Sequence, residues 1–165
     1  MSTENEKKIV EFLYSEHESE ELVTELVRLM RPRLGILKGN PLGVSKRAIT
    51  PTAMENTGAA VDSTAAAVAL LLSPGLEYAL GGEKKAGEFM DRLENAGASV
   101  FPVVLEPLAD NGHWAYAGRA VFRGPAAVPC DSFAGAAEDR HTAGLFANGL
   151  AQAIGHRMGG RVGYR

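Results

Sequence analysis

Apolar residues recur along this chain at several spacings, and the clearest pattern lies near the C-terminal end. Phe146, Leu150, Ile154 and Met158 fall four apart, a spacing that lines one face of a helix. Beside them Ala143, Ala147, Ala151, Gly155 and Gly159 form a stripe of small residues, and Asn148, Gln152 and His156 form a polar one. The pattern predicts a helix over 137–158. A second helix is predicted over 83–96. There Phe89, Met90 and Leu93 share one side, charged residues cover the other, and Gly97 is a natural terminator. Leu22, Val23, Leu26, Val27, Leu29 and Met30 repeat at helical spacing after a Ser19 cap, with Glu20 and Glu21 in the first turn and Pro32 as the expected stop. Ile9, Val10, Phe12, Leu13 and Tyr14 read as a short helix within 5–15.

The centre of the chain is less periodic. Asp62-Ser63-Thr64 offer caps for an alanine-rich helix through Leu72, ended by Ser73-Pro74-Gly75. A buried strand at Val68–Leu72 is the competing reading, because an unbroken apolar run has no period to decide between the two. Leu34 to Lys38 reads as a short strand inside an otherwise irregular 34–57, with breaks at Gly39-Asn40-Pro41 and Pro51. Val100 to Leu105 reads as a strand, and Pro102 suits an edge position or a bulge. Asp110-Asn111-Gly112 is a turn signal, and Trp114 to Phe122 reads as a second strand, which together suggest an antiparallel hairpin.

These elements give an α+β fold of about five helices with a small antiparallel, hairpin-containing sheet. An α/β sandwich is the alternative. The stretch from Val68 to Leu105 resembles one strand–helix–strand step of flavin- or nucleotide-binding α/β proteins. It covers under a quarter of the chain, and the phosphate-binding loop of such folds is not visible near the N-terminus. A length of 165 residues suits one globular domain, with 1–31 as a possible helical extension and 159–165 as a basic tail.

Charge changes this picture more than composition does. Residues 1–27 carry eight acidic residues against Lys7 and Lys8, a net of −6. Residues 28–47 carry Arg28, Arg31, Arg33, Lys38, Lys46 and Arg47 with no acid, a net of +6. Adjacent blocks of opposite sign pair with each other, dimerise head to tail, or present the basic block to an anion. Arg28, Arg31, Arg33, Lys46, Arg47 and the tail residue Arg161 are the candidate anion contacts. The basic block has no aromatic residue for base stacking. The acids that open the predicted second helix argue against reading DNA bases, so sequence-specific nucleic-acid binding is disfavoured. The apolar run Ala65–Leu72 is far shorter than the ~20 residues that span a bilayer, and 1–8 lead into no signal-length apolar run. No membrane role and a cytoplasmic location are the expectations.

Cys130 is the only cysteine, which rules out an intramolecular disulfide and a multi-cysteine zinc site. His141 follows it by eleven residues, and a thiolate near an imidazole is a candidate nucleophile pair. Against this, a lone cysteine commonly behaves as a small buried hydrophobe. His17, His113, His141 and His156 show no metal-ligand spacing, so no metal is expected, and no motif names a cofactor. The small stripe lets a second helix approach closely, with the alanine-rich segment at 65–69 as the natural partner, inside one subunit or across a dimer. The leading expectation is therefore a homo-oligomeric binding or assembly protein without chemistry of its own, with Ala143, Ala147, Ala151, Gly155 and Gly159 at the interface. The alternative is a small α/β-type enzyme acting on an anionic substrate through Cys130 and His141. Non-specific nucleic-acid contact through 28–47 and the tail is a third.

Overall fold

The computed structural model describes residues 8–16, 20–36, 42–49, 65–81, 83–107, 121–124 and 132–159. Its sheet has four parallel strands in the order β2-β1-β3-β4. In chain order the elements are β1 (Lys8–Ser15), α1 (Glu20–Gly35), β2 (Leu42–Ile49), β3 (Ala65–Leu72), α2 (Pro74–Leu80), α3 (Glu83–Asn95), β4 (Ser99–Val104), α4 (Phe133–Ala136) and α5 (Arg140–Gly159). The architecture is α/β. The expected antiparallel hairpin sheet is overturned, because all three strand pairings are parallel. Beyond β4, Phe122 adds one more position in the same sense. Its N–H donates to the Pro102 carbonyl at 2.8 Å, and the Val104 N–H donates to the Phe122 carbonyl at 2.9 Å. The rest of the expected second hairpin strand, 114–120, lies outside the described residues. Pro102 turns its nitrogen to the Phe122 flank, along with its carbonyl. The missing N–H therefore costs the β3–β4 ladder nothing, which is how a sheet tolerates proline.

Alternation along each strand divides the core in two. Val10, Phe12 and Tyr14 of β1, Leu42 and Val44 of β2, Ala67, Ala69 and Leu71 of β3, and Phe101 and Val103 of β4 face α1, α4 and α5. Leu13, Val68, Leu70, Leu72, Val100 and Val104 face α2 and α3. The crossover from β1 to β2 moves one way along the sheet, and that from β3 to β4 moves the other way. With the usual right hand, their helices fall on opposite faces. The chain is thus doubly wound, and strand order reverses between β1 and β3.

Both central strands had been read as helices, and double-sided burial is the reason. A strand covered on both faces has no polar alternation to show its period of two. Residues 65–72 have every characterised side chain from Ala67 to Leu72 fully buried, which matches the competing strand reading of that run. Residues 8–15 form a central strand of the sheet, and Glu20–Gly35 form its first covering helix. Residues 42–49, expected to be irregular, are the edge strand β2.

Three helix boundaries also differ. Ser73-Pro74-Gly75 starts α2 rather than ending a helix. The Ser73 Oγ accepts from the Leu76 N–H at 3.1 Å, and Pro74 takes the first turn, where its missing N–H has no cost. α1 continues through Pro32 to Gly35, so Leu34 and Gly35, expected to open a short strand over 34–38, are helical, and 37–38 lie outside the described residues. Pro32 is exposed and cannot donate to the turn before it. In that turn, Arg33 Nη1 donates to the Leu29 carbonyl at 2.8 Å. The helix expected over 137–158 is α5, beginning at Arg140 with Asp139 at its N-terminus. The helix expected over 83–96 is α3, with Phe89, Met90 and Leu93 buried as their spacing requires.

Both stripes of α5 are buried inside the chain as far as Gly155. Phe146, Leu150 and Ile154 are fully buried, and Ala143, Ala147, Ala151 and Gly155 are buried beside them. They pack in one cluster with Val23, Leu26, Val27, Met30 and Leu34 of α1. The close-packing partner is α1 and the sheet, because the alanine-rich segment once expected to be that partner is β3. Phe146 also meets Phe122 and Phe133 edge to face, with ring centroids 5.1 and 5.3 Å apart, which pins α5 to the last strand position and to α4. Ala151→Leu should therefore overpack the α1–α5 layer and cost ~1–3 kcal/mol in urea unfolding. Gln152→Leu, one residue on and exposed, should stay within about 0.5 kcal/mol. The reverse ranking would place the faces of α5 the wrong way round.

Candidate functional site

In doubly wound sheets, ligands bind in the crevice beyond the carboxyl ends of the strands, at the point where strand order reverses. Here that point lies between β1 and β3. The two strands run side by side from Ile9 opposite Ala65 to Leu13 opposite Leu70. Each ends on a buried serine, Ser15 at 1% exposure and Ser73 at 0%. Ser73 is held by its capping role on α2. Around the same edge the chain places Glu16 just after β1, Glu20 and Glu21 in the first turn of α1, Glu77 in the first turn of α2, and Glu106 just after β4. The Leu105 and Glu106 N–H groups both donate to the Leu72 carbonyl, at 2.9 and 3.2 Å, and tie the ends of β3 and β4 together. Among the described residues this edge gathers more acids than bases, and sequence reasoning missed it. The glutamates are scattered over 16–106, and only the parallel topology gathers them at one end.

The basic block is largely occupied by the acidic block. Arg47 on β2 grips Glu11 on β1 with two bonds, Nε to Oε2 at 3.1 Å and Nη2 to Oε1 at 2.6 Å. The Glu11 carboxylate is almost wholly buried, and a buried carboxylate is stable only when paired and hydrogen-bonded. Arg28 pairs with Glu25 on the surface of α1. Lys46 pairs with Glu20, and its Nζ stands 5.7 Å from the centre of the Tyr14 ring. Arg31 donates to the Val44 carbonyl at 3.0 Å and links α1 to β2. Arg33 donates through Nε to Asn148 Oδ1 at 2.6 Å and links α1 to α5. Of the expected anion contacts, then, Arg28, Lys46 and Arg47 are neutralised by carboxylates of the preceding block. Arg161 lies outside the described residues.

Cys130 also lies outside the described residues, so its distance to His141 is undefined. His141 is exposed in the first turn of α5. Asp139 caps that helix, accepting from the Thr142 N–H and Oγ1 at 2.9 Å each. The bond from the Thr142 backbone N–H, then that from its hydroxyl, hold the Asp139 carboxyl below the ordinary aspartate range. Among the described residues, no group of three or more His, Cys, Asp and Glu side chains is placed to share a metal ion. No helix among them is long and apolar enough to cross a membrane.

Compared with known protein families and with curated proteins, the chain matches none.

Tyr14, Glu20 and Lys46 form a coupled surface cluster above the end of β1. The Tyr14 hydroxyl donates to both Glu20 oxygens at 3.1 Å. Burial of the ring, then this bond, push the Tyr14 phenol above its ordinary value. The bond from Lys46 pulls Glu20 below the ordinary glutamate value, and the same bond raises Lys46. Glu20 therefore adds stability above the ordinary glutamate value and loses it as pH falls through its lowered pKa. Lys46 and Tyr14 add stability below their ordinary values and lose it as pH rises through their raised ones. Tyrosine-labelled NMR titration should accordingly place Tyr14 above an exposed tyrosine. Glu20→Gln should lower it, and Lys46→Met should raise it further. Opposite signs for the two variants would dissolve the cluster.

Proposed function

We infer that the chain is a ligand-binding α/β domain whose crevice lies at the carboxyl edge of the sheet, between β1 and β3. The reversal of strand order at that point carries the reading. The resemblance of 68–105 to a nucleotide-binding strand–helix–strand step supports it, since β3, α2, α3 and β4 form such a step. The charge of the edge defines the ligand class. Among the described residues Glu16, Glu20, Glu21, Glu77 and Glu106 gather there, with Lys46 on Glu20 and Arg123 after Phe122, so acids outnumber bases and a phosphate is disfavoured. Carboxylates favour hydroxyl and amine donors, which points to a small molecule rich in hydroxyls, such as a nucleoside, rather than to an anion.

This reading departs from both earlier expectations. Self-association through Ala143, Ala147, Ala151 and Gly155 loses its surface, because these residues are buried within one chain. An anionic substrate is disfavoured at the sheet edge by the excess of acids among its described residues. The proposal is for binding and assigns no reaction.

The test is a backbone NMR titration with adenosine and a panel of other nucleosides. Saturable shifts should cluster at 13–16 and 72–77, and Glu16→Lys combined with Glu77→Lys should weaken them. The amino edge of the sheet, at 8–10 and 97–99, should stay silent. Shifts confined to the amino edge, or no response to any nucleoside, would refute the assignment.

A further inference from the structure

On the outer surface α1 and α5 lie side by side, and two arginines there differ from the rest of the basic block. Arg33 is fixed at two points, through Nε to Asn148 Oδ1 and through Nη1 to the Leu29 carbonyl. Both acceptors are neutral, so the guanidinium is held in place with its charge uncompensated. Arg140 opens α5 and is exposed. Its influence on the surroundings is a through-space pull on Glu25, which is already bonded to Arg28. Among the described residues neither Arg33 nor Arg140 has a carboxylate at ion-pair distance, whereas Arg28, Lys46 and Arg47 each do.

Two hollows flank this pair. One, of about 730 Å³, is lined by Arg28, Leu29, Arg33, Arg140 and Gly144 among others. The next, of about 630 Å³, is lined by Arg33, Arg140, His141, Gly144 and Asn148 among others. Arg33, Arg140 and Gly144 are common to both. A side chain at Gly144 would start 3.6 Å from Arg33 Nη2, so glycine keeps the space beside the guanidinium open.

We propose that Arg33 and Arg140 form a binding site for a single phosphate group in the groove between α1 and α5. Two guanidinium groups present planar forks of donors that match phosphate oxygens, and their combined charge matches a phosphate dianion. Positioning by neutral partners removes part of the ordering cost of binding. The acids of the groove limit the ligand's size. Glu25 lines the larger hollow, and Asp139, its carboxyl pulled down by the bonds from Thr142, lines the other. An extended polyanion such as a nucleic acid would meet both. A compact phosphate or phosphomonoester needs only the space beside Arg33, Arg140 and Gly144 that both hollows share. This site lies apart from the carboxyl-edge crevice and stands or falls independently of it.

The experiment is a titration of the ¹⁵N-labelled protein at constant ionic strength with inorganic phosphate and, separately, with ribose 5-phosphate. The side-chain Nε of Arg33 and Arg140 and the amides of 140–144 should shift saturably. Tighter binding of ribose 5-phosphate would identify an ester as the ligand, and equal or tighter binding of inorganic phosphate would identify the free ion. Arg140→Gln, at an exposed position that leaves the α1–α5 contact intact, should weaken binding roughly tenfold or more. Arg31→Gln removes the same charge from the opposite side of α1, facing β2 and outside the hollows, and should leave binding unchanged. Absence of saturable shifts, or equal losses in Arg140→Gln and Arg31→Gln, would overturn the proposal.

Discussion

Everything in this molecule follows from burying β1 and β3 on both faces. A parallel pair at the centre of a sheet needs a helical layer above and another below. β1 sends Val10, Phe12 and Tyr14 to one layer and Leu13 to the other, and β3 does the same with Ala69 and Leu71 against Leu70 and Leu72. Small residues on β3 and small residues on α5 belong to one solution. Ala67 and Ala69 leave room over the sheet, and Ala143, Ala147 and Ala151 let α5 come down beside α1. Because the first crossover covers one face and the second covers the other, strand order reverses between β1 and β3. The reversal makes the crevice.

Among the described residues, Glu11 is the one charged side chain buried inside this arrangement, at the middle of the central strand. Burying it would be prohibitive without Arg47, whose double contact from the neighbouring strand satisfies both oxygens. The segregation of charge in the first third of the chain has a structural cause in the same unit. The first half of α1 is acidic and β1 contributes Glu11, the end of α1 and β2 are basic, and packing β1, α1 and β2 together pairs Glu11 with Arg47, Glu20 with Lys46 and Glu25 with Arg28. The two exposed pairs are worth little in stability. Their larger effect is on what remains: once the carboxylates have taken their partners, Arg33 and Arg140 are left with uncompensated charge on the surface.

The amphipathic helices were legible in the sequence because each has one wet face. Phe89, Met90 and Leu93 revealed α3, and Phe146, Leu150 and Ile154 revealed α5. The central strands were not legible for the opposite reason: Ile9 to Tyr14 and Ala65 to Leu72 have no wet face to give a period. The signal that separates them from helices was present in part. Glu11 sits alone among apolar neighbours and demands a partner, and Leu42 and Val44 alternate with Gly43 and Ser45 as an edge strand does. Ser73-Pro74 was ambiguous by nature, since serine before proline suits a helix start as well as a stop. The basic residues were found as a block, but their pairing depends on the register of β1 against β2. The acidic residues of this edge could not be found together, since residues as distant in sequence as Glu16 and Glu106 reach one end of the sheet only through parallel topology.

The central claim is that β1 lies in parallel between β2 and β3. It is tested most directly by inter-strand backbone NOEs in the labelled protein. The account predicts extended-chain NOEs through 8–15, with cross-strand contacts linking Val10 to the neighbourhood of Val44 on one side and of Ala67 on the other, in parallel register. Sequential helical NOEs through 8–15, or an antiparallel pattern between β1 and either neighbour, would contradict it.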